Sequence, residues 1–121
     1  YISKMIDEKI IKIVSDCLEE MKAQNTTIIN ISKKSSIADY MVVSSGTSSR
    51  HISSIADKIQ RTLKNNSYKN IQVEGLQNCD WVLIDAFDVI INIFKPEVRE
   101  FYRIEKIWSE NLVVNDETKI G

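Results

Sequence analysis

Between residues 80 and 102 the chain reads DWVLIDAFDVIINIFKPEVREFY, and this stretch leaves the rest little freedom. Two apolar runs rich in β-branched residues, 80–85 and 88–94, flank the pair Ala86-Phe87. Runs of that length around so short a spacer specify a β-hairpin. Because side chains alternate across a strand, Val82, Ile84, Val89, Ile91 and Ile93 share one face, and all are aliphatic. Trp81, Leu83, Asp85, Asp88, Ile90, Asn92 and Phe94 share the other. A loop at Ala86-Phe87 pairs Asp85 with Asp88, Leu83 with Ile90 and Trp81 with Asn92. The first face reads as core. The second mixes aromatics and aliphatics with two carboxylates and an amide, which suits docking against a partner. Ala86-Phe87 makes a poor primed turn, since positive φ is costly for a residue with a Cβ. A type I turn starting at Asp85, or a bulge, is the alternative.

The remaining segments supply an α/β frame. Ile6, Ile10, Ile13, Val14, Cys17, Leu18 and Met21 recur at helical spacing within 4–24, opposite a charged face. Residues 27–32 (TIINIS) read as a strand, 33–39 as a polar connector, and 40–45 (YMVVSS) as a second strand. Gly46-Thr47-Ser48-Ser49 turns the chain into a helix whose apolar stripe is Ile52, Ile55, Ala56, Ile59 and Leu63. Residues 70–74 make a third strand. The helix between the second and third strands suits a right-handed crossover between parallel neighbours. Pro96 fits the first turn of a final helix, with Glu97 and Glu100 near its positive end. Phe101, Ile104, Ile107 and Trp108 continue that helix, and 109–121, with little apolar content, reads as a flexible tail. The expected architecture is a mixed sheet of about five strands flanked by two long helices and one short one, a single domain over 1–108.

Composition narrows the function classes. With 43% apolar and 27% charged residues, the chain has the make-up of an ordinary globular domain. No apolar run approaches the ~18–20 residues that span a membrane. A formal net charge of −1 offers no bulk attraction to nucleic acid, so little direct contact with RNA phosphates is expected. Cys17 and Cys79 stand apart, which fits reduced thiols in a cytosol-like compartment. The chain begins at Tyr1 rather than Met, which leaves room for residues or a targeting segment upstream.

Three constellations carry chemistry on paper. Gly46-Thr47-Ser48 at a strand-to-helix turn could cradle phosphate, yet the same residues would stand there to cap the helix, the favoured reading. Asp85 and Asp88 could hold Mg²⁺; without a nearby third carboxylate or histidine, turn chemistry or partner contact is favoured. His51, the only histidine, has no nucleophile in a recognisable setting and reads as a surface or capping residue. Trp81 shares its face with Asp85, Asp88 and Asn92, which a dry core would not accept unpaired. It reads as an interface anchor.

ADYMVVSSGTSSRHISSIADKI (38–59), VEG (73–75), WVLIDAFDVIINIF (81–94) and PEVREFYRIEKIW (96–108) together resemble the ribosomal silencing factor family, also called Iojap-related. The resemblance implies a fold similar to nucleotidyltransferases without their catalytic carboxylates or activity. It also implies a role: binding the large ribosomal subunit through its ribosomal protein fourteen, blocking the small subunit, and repressing translation when nutrients fail. It places Trp81, Asp85, Asp88, Arg99, Tyr102, Glu105 and Trp108 on motif positions. Phe87 and Asn92 depart from the Gly and His usual there, which puts the loop geometry in question and removes a titratable ring. The expected partner-binding set is therefore Trp81, Leu83, Asp85, Asp88, Ile90, Asn92, Phe94, Arg99 and Tyr102, with no metal and no cofactor. The expected location is the cytoplasm, or an organelle for a mature organellar relative. An exposed hairpin face of this kind is also open to homodimer formation when no ribosome is present. The competing class is a nucleotidyltransferase using Gly46-Thr47-Ser48 and Mg²⁺. Such an enzyme needs paired acids on a strand after the turn, whereas the first acid after Gly46 is Asp57, within a helical pattern.

Overall fold

The structure, a computed structural model of the chain, describes residues 2–104 and 106. Its elements run α1 (Ile2–Glu20), β1 (Gln24–Asn30), β2 (Tyr40–Ser45), α2 (Ser49–Asn65), β3 (Ile71–Glu74), β4 (Trp81–Ala86), β5 (Val89–Phe94) and α3 (Pro96–Tyr102). The strands form one five-stranded sheet in the order β1-β2-β5-β4-β3. Only the β2–β5 pair is parallel. The α/β class and mixed sheet agree with the sequence reading. The crossover does not: α2 carries the chain past two inserted strands, so β2 and β3 are not neighbours.

The hairpin expectation holds in its faces and fails in its turn. The central residues are Phe87 and Asp88, with Ala86 opposite Val89, Asp85 opposite Ile90, Leu83 opposite Asn92 and Trp81 opposite Phe94. This register differs from the expected one by two residues, and a slip of two leaves every strand side chain on its own face. Phe87 takes φ 59°, the positive value that a Cβ disfavours. Its ring meets Tyr68 edge-on, with centroids 5.8 Å apart, a contact that glycine could not make.

One face of the sheet is sealed by the two long helices. Val82, Ile84, Ala86, Val89, Ile91 and Ile93 are fully buried against Ile10, Val14 and Leu18 of α1 and Ile52, Ile55, Ile59 and Leu63 of α2. The helical periodicities read from sequence are these packing stripes. On the other face a smaller cluster gathers Ile31, Ala38, Met41, Val43 and Phe94, with Trp81, Ile90, Val98 and Ile104 packed around it. The connector 33–39 read as polar, but Ala38 within it is buried in that cluster, together with Ile31 from the stretch read as the first strand.

Of the two readings of His51, surface or capping, its hydrogen bonds favour the second. Its Nδ1 accepts the Thr47 backbone N–H at 2.9 Å, so the proton sits on Nε2, which donates to the Met21 carbonyl at 2.7 Å. The ring thus ties the β2–α2 turn to the end of α1. The final helix is interrupted at Arg103, which adopts a left-handed conformation (φ 49°) and whose N–H bonds back to the Arg99 carbonyl; Ile104 and Lys106 beyond it are again helical. Glu105, Ile107, Trp108 and the expected tail 109–121 lie outside the described residues.

Candidate partner-docking surface

The second sheet face is closed at one end and open at the other. Trp81 stands at the boundary. Its indole stacks at 4.8 Å on Phe94 and at 5.1 Å on Tyr102 of α3, and its Nε1–H donates to Asn92 Oδ1 at 2.9 Å. Pro96 starts α3 directly after β5, and the backbone and side chain of Lys95 both bond to Asp80, the side chain at 3.0 Å. That hydrogen bond raises the Lys95 ammonium pKa above its ordinary value. The result is an aromatic shelf anchored at the open end of the hairpin, where β4 begins and β5 ends.

Several expected docking residues are support instead. Phe94 and Asn92 are fully buried, Phe94 because the connector and α3 cover it, Asn92 because Trp81 bonds to it. They fix the indole rather than meet a partner. Asp88 lies in the turn, opposite no strand residue, and does not share the strand face. Leu83 and Ile90 are half-buried, whereas Asp85 is exposed. Tyr102 is 49% exposed, and Phe101, which sequence reasoning did not select, is 79% exposed.

Register adds two more residues. Gln72 lies opposite Asp85, and Glu74 opposite Leu83, so their exposed side chains join the same surface. Neither carries a sequence signal of its own; only the β3–β4 pairing reveals them. Asp80, Glu97, Val98, Phe101 and Tyr102 line a shallow cleft beside Trp81. The surface is therefore apolar and aromatic at its centre, with acidic groups (Glu74, Asp80, Asp85 and Glu97) around it.

Arg99 is not part of it. At 100° per residue, Arg99 is about 100° around α3 from Val98 and about 60° from Tyr102, and its guanidinium reaches the end of β2 instead of the shelf. Arg99 Nη1 donates to Ser45 Oγ at 2.8 Å and lines a separate cleft with Asn25, Glu100, Arg103 and Lys106.

The phosphate reading of Gly46-Thr47-Ser48 loses two of its backbone donors, those of Gly46 and Thr47. The Gly46 N–H bonds to the Phe94 carbonyl, Thr47 N–H to His51 Nδ1, and His51 N–H to Ser48 Oγ at 3.1 Å. A Cβ on Gly46 would lie 2.6 Å from Ile52 Cγ1, so glycine is required there by packing alone. Asp85 and Asp88 do not pair either. Asp88 gathers instead with Asp7 and Asp39.

In that trio Asp7 is raised from 3.8 to about 6, chiefly by burial, then by its hydrogen bond with Asp39 and the charges of Asp88 and Asp39. A raised carboxyl pKa means the folded state holds the proton more tightly than the unfolded chain. The resulting penalty is absent below about pH 4, grows through about pH 6 and is complete above it. Asp7→Asn should therefore raise stability at neutral pH in EDTA by up to about 2 kcal/mol and change little near pH 4, as read by paired urea melts.

The sequence matches the family described as "Ribosomal silencing factor during starvation" over residues 4–120. A ribosomal silencing factor of Zymomonas mobilis is 45% identical over 101 residues, spanning 84% of this chain and 76% of that protein. A crystal structure of a Chromobacterium violaceum protein superposes with a TM-score of 0.81 at 33% identity, covering 84% of each chain. The mouse protein named "Mitochondrial assembly of ribosomal large subunit protein 1" is 32% identical over 95 residues, which make up 76% of this chain and 42% of that one. The hairpin, the aromatic shelf and these likenesses agree: the chain belongs to the ribosomal silencing factor family.

Proposed function

We propose that the protein represses translation without catalysing a reaction, by capping a protein surface of the large ribosomal subunit that the small subunit needs for joining. The partner surface is that of ribosomal protein fourteen. The observation that carries this reading is the composition of the exposed hairpin face: a half-buried tryptophan and two exposed aromatics inside a rim of Glu74, Asp80, Asp85 and Glu97. Aromatic centres with polar rims are the anatomy of protein interfaces. An acidic rim repels RNA phosphates and complements the basic surface typical of a ribosomal protein. Capping one such surface is steric and needs no catalytic group.

Asp85 tests the reading cleanly, because it is exposed and its loss leaves nothing buried unpaired. Asp85→Arg should leave the urea midpoint nearly unchanged, within about 0.5 kcal/mol. It should weaken co-sedimentation with large subunits roughly tenfold or more, by placing like charges face to face. Unchanged co-sedimentation at matched salt would remove the hairpin face as the docking surface.

A further inference from the structure

The opposite end of the hairpin carries a second site. Asp7 comes from α1, Asp39 immediately precedes β2, and Asp88 sits in the β4–β5 turn; one oxygen from each lies within 4.8 Å of the others. The backbone holds two of them in register, since the N–H groups of Asp39 and Tyr40 both donate to the Asp88 carbonyl, at 2.8 and 3.1 Å. Three carboxylates this close repel one another unless a proton or a cation lies between them.

A separate observation points to a ligand. Asp7 is 1% exposed, and its Oδ1 has no hydrogen-bond partner. A buried carboxylate oxygen in that state carries an uncompensated desolvation cost. A cleft of about 270 Å³ reaches this carboxylate and Asp39 from solvent, and its walls add the oxygen-bearing side chains of Asn30, Ser32 and Tyr40. Among the described residues, Lys4 is the one basic side chain lining it.

We propose that Asp7, Asp39 and Asp88 bind one hard divalent cation, Mg²⁺ or Ca²⁺, with water completing its coordination. The geometry suits it: oxygens opposite one another across a Ca²⁺ ion, each at about 2.4 Å, stand roughly 4.8 Å apart. A bound ion neutralises the trio and gives Asp7 Oδ1 the partner it lacks. It also fastens α1 to the β2 entry and to the hairpin turn, three segments far apart in sequence. The site lies at the turn end of the hairpin, away from Trp81, and does not depend on ribosome binding.

The test uses the full chain, stripped with EDTA and melted at neutral pH with and without millimolar Mg²⁺, Ca²⁺ or Mn²⁺. At least one cation should raise Tm by about 4 °C or more. The rise should vanish in Asp7→Asn and in Asp88→Asn and persist in Asp57→Asn, whose carboxylate is on the surface beside Arg61. Mn²⁺ supplies a readout that needs no variant: paramagnetic broadening should centre on the amides of Asp7, Asp39, Tyr40 and Val89. A melting temperature no higher in any of the cations than in EDTA, or broadening spread over the acidic surface, would overturn the proposal and leave a proton shared between Asp7 and Asp39 as the trio's ligand.

Discussion

Phe94→Ala should destabilise the fold by roughly 3–5 kcal/mol, the cost of emptying a large aromatic site in a packed interior. Phe94 closes β5, is fully buried, and joins Ile31, Ala38, Met41 and Val43 in the smaller apolar cluster. Its ring supports the Trp81 indole at 4.8 Å, and its carbonyl receives the Gly46 N–H that starts the turn into α2. Truncation therefore opens a cavity under the proposed docking surface and loosens the shelf above it. Urea melts read by circular dichroism give the value. A loss below about 1 kcal/mol would mean that this second cluster is not a true core.

Trp81→Ala should weaken large-subunit binding by about 2–4 kcal/mol, thirtyfold to about a thousandfold in Kd, as a central aromatic anchor does. Stability should fall as well. The indole is half-buried, stacks on two rings, and gives Asn92 Oδ1 its hydrogen bond, while Asn92 Nδ2 is already buried without a partner. Removing the indole leaves both polar ends of that amide unsatisfied unless water enters the space. Trp81→Phe separates the two effects: it keeps an aromatic ring on Phe94 and Tyr102 but cannot donate to Asn92. It should retain more binding than Trp81→Ala at a comparable loss of the Asn92 bond. If Trp81→Ala folds and binds as wild type, the aromatic shelf is not the anchor.

Much of this arrangement was legible in the sequence because the strand period is forgiving. The turn was placed one residue early and the pairing was off by two, yet all five residues assigned to the inner face stayed together, and so did all those assigned to the outer face except Asp88, which lies in the turn. The turn itself was hidden, since Phe87 occupies a backbone conformation that residue preferences argue against and its contact with Tyr68 is remote in sequence. Burial of Phe94 and Asn92 was hidden for a different reason. The segment that covers part of this face is marked by Lys33, Lys34, Ser35 and Ser36, and nothing local says that Ile31 and Ala38 turn inward. Arg99 and Tyr102 lie three residues apart on neighbouring positions of α3, and what divides them is their partners, Ser45 for the guanidinium and Trp81 for the phenol ring, which the sequence does not show. Asp7, Asp39 and Asp88 meet only because β2 and β5 are neighbours and α1 crosses above them, a fact of topology that spacing cannot carry.

Subunit joining tests the central claim most directly. Purified large and small subunits are mixed under associating conditions with increasing protein, and the products are resolved on a sucrose gradient. The protein should travel with the large subunit alone, and the whole-ribosome peak should fall as free large and small subunits rise, with Asp85→Arg far less effective at the same concentration. Protein found on the small subunit, or a whole-ribosome peak that stays unchanged when large subunits carry the protein, would contradict the account.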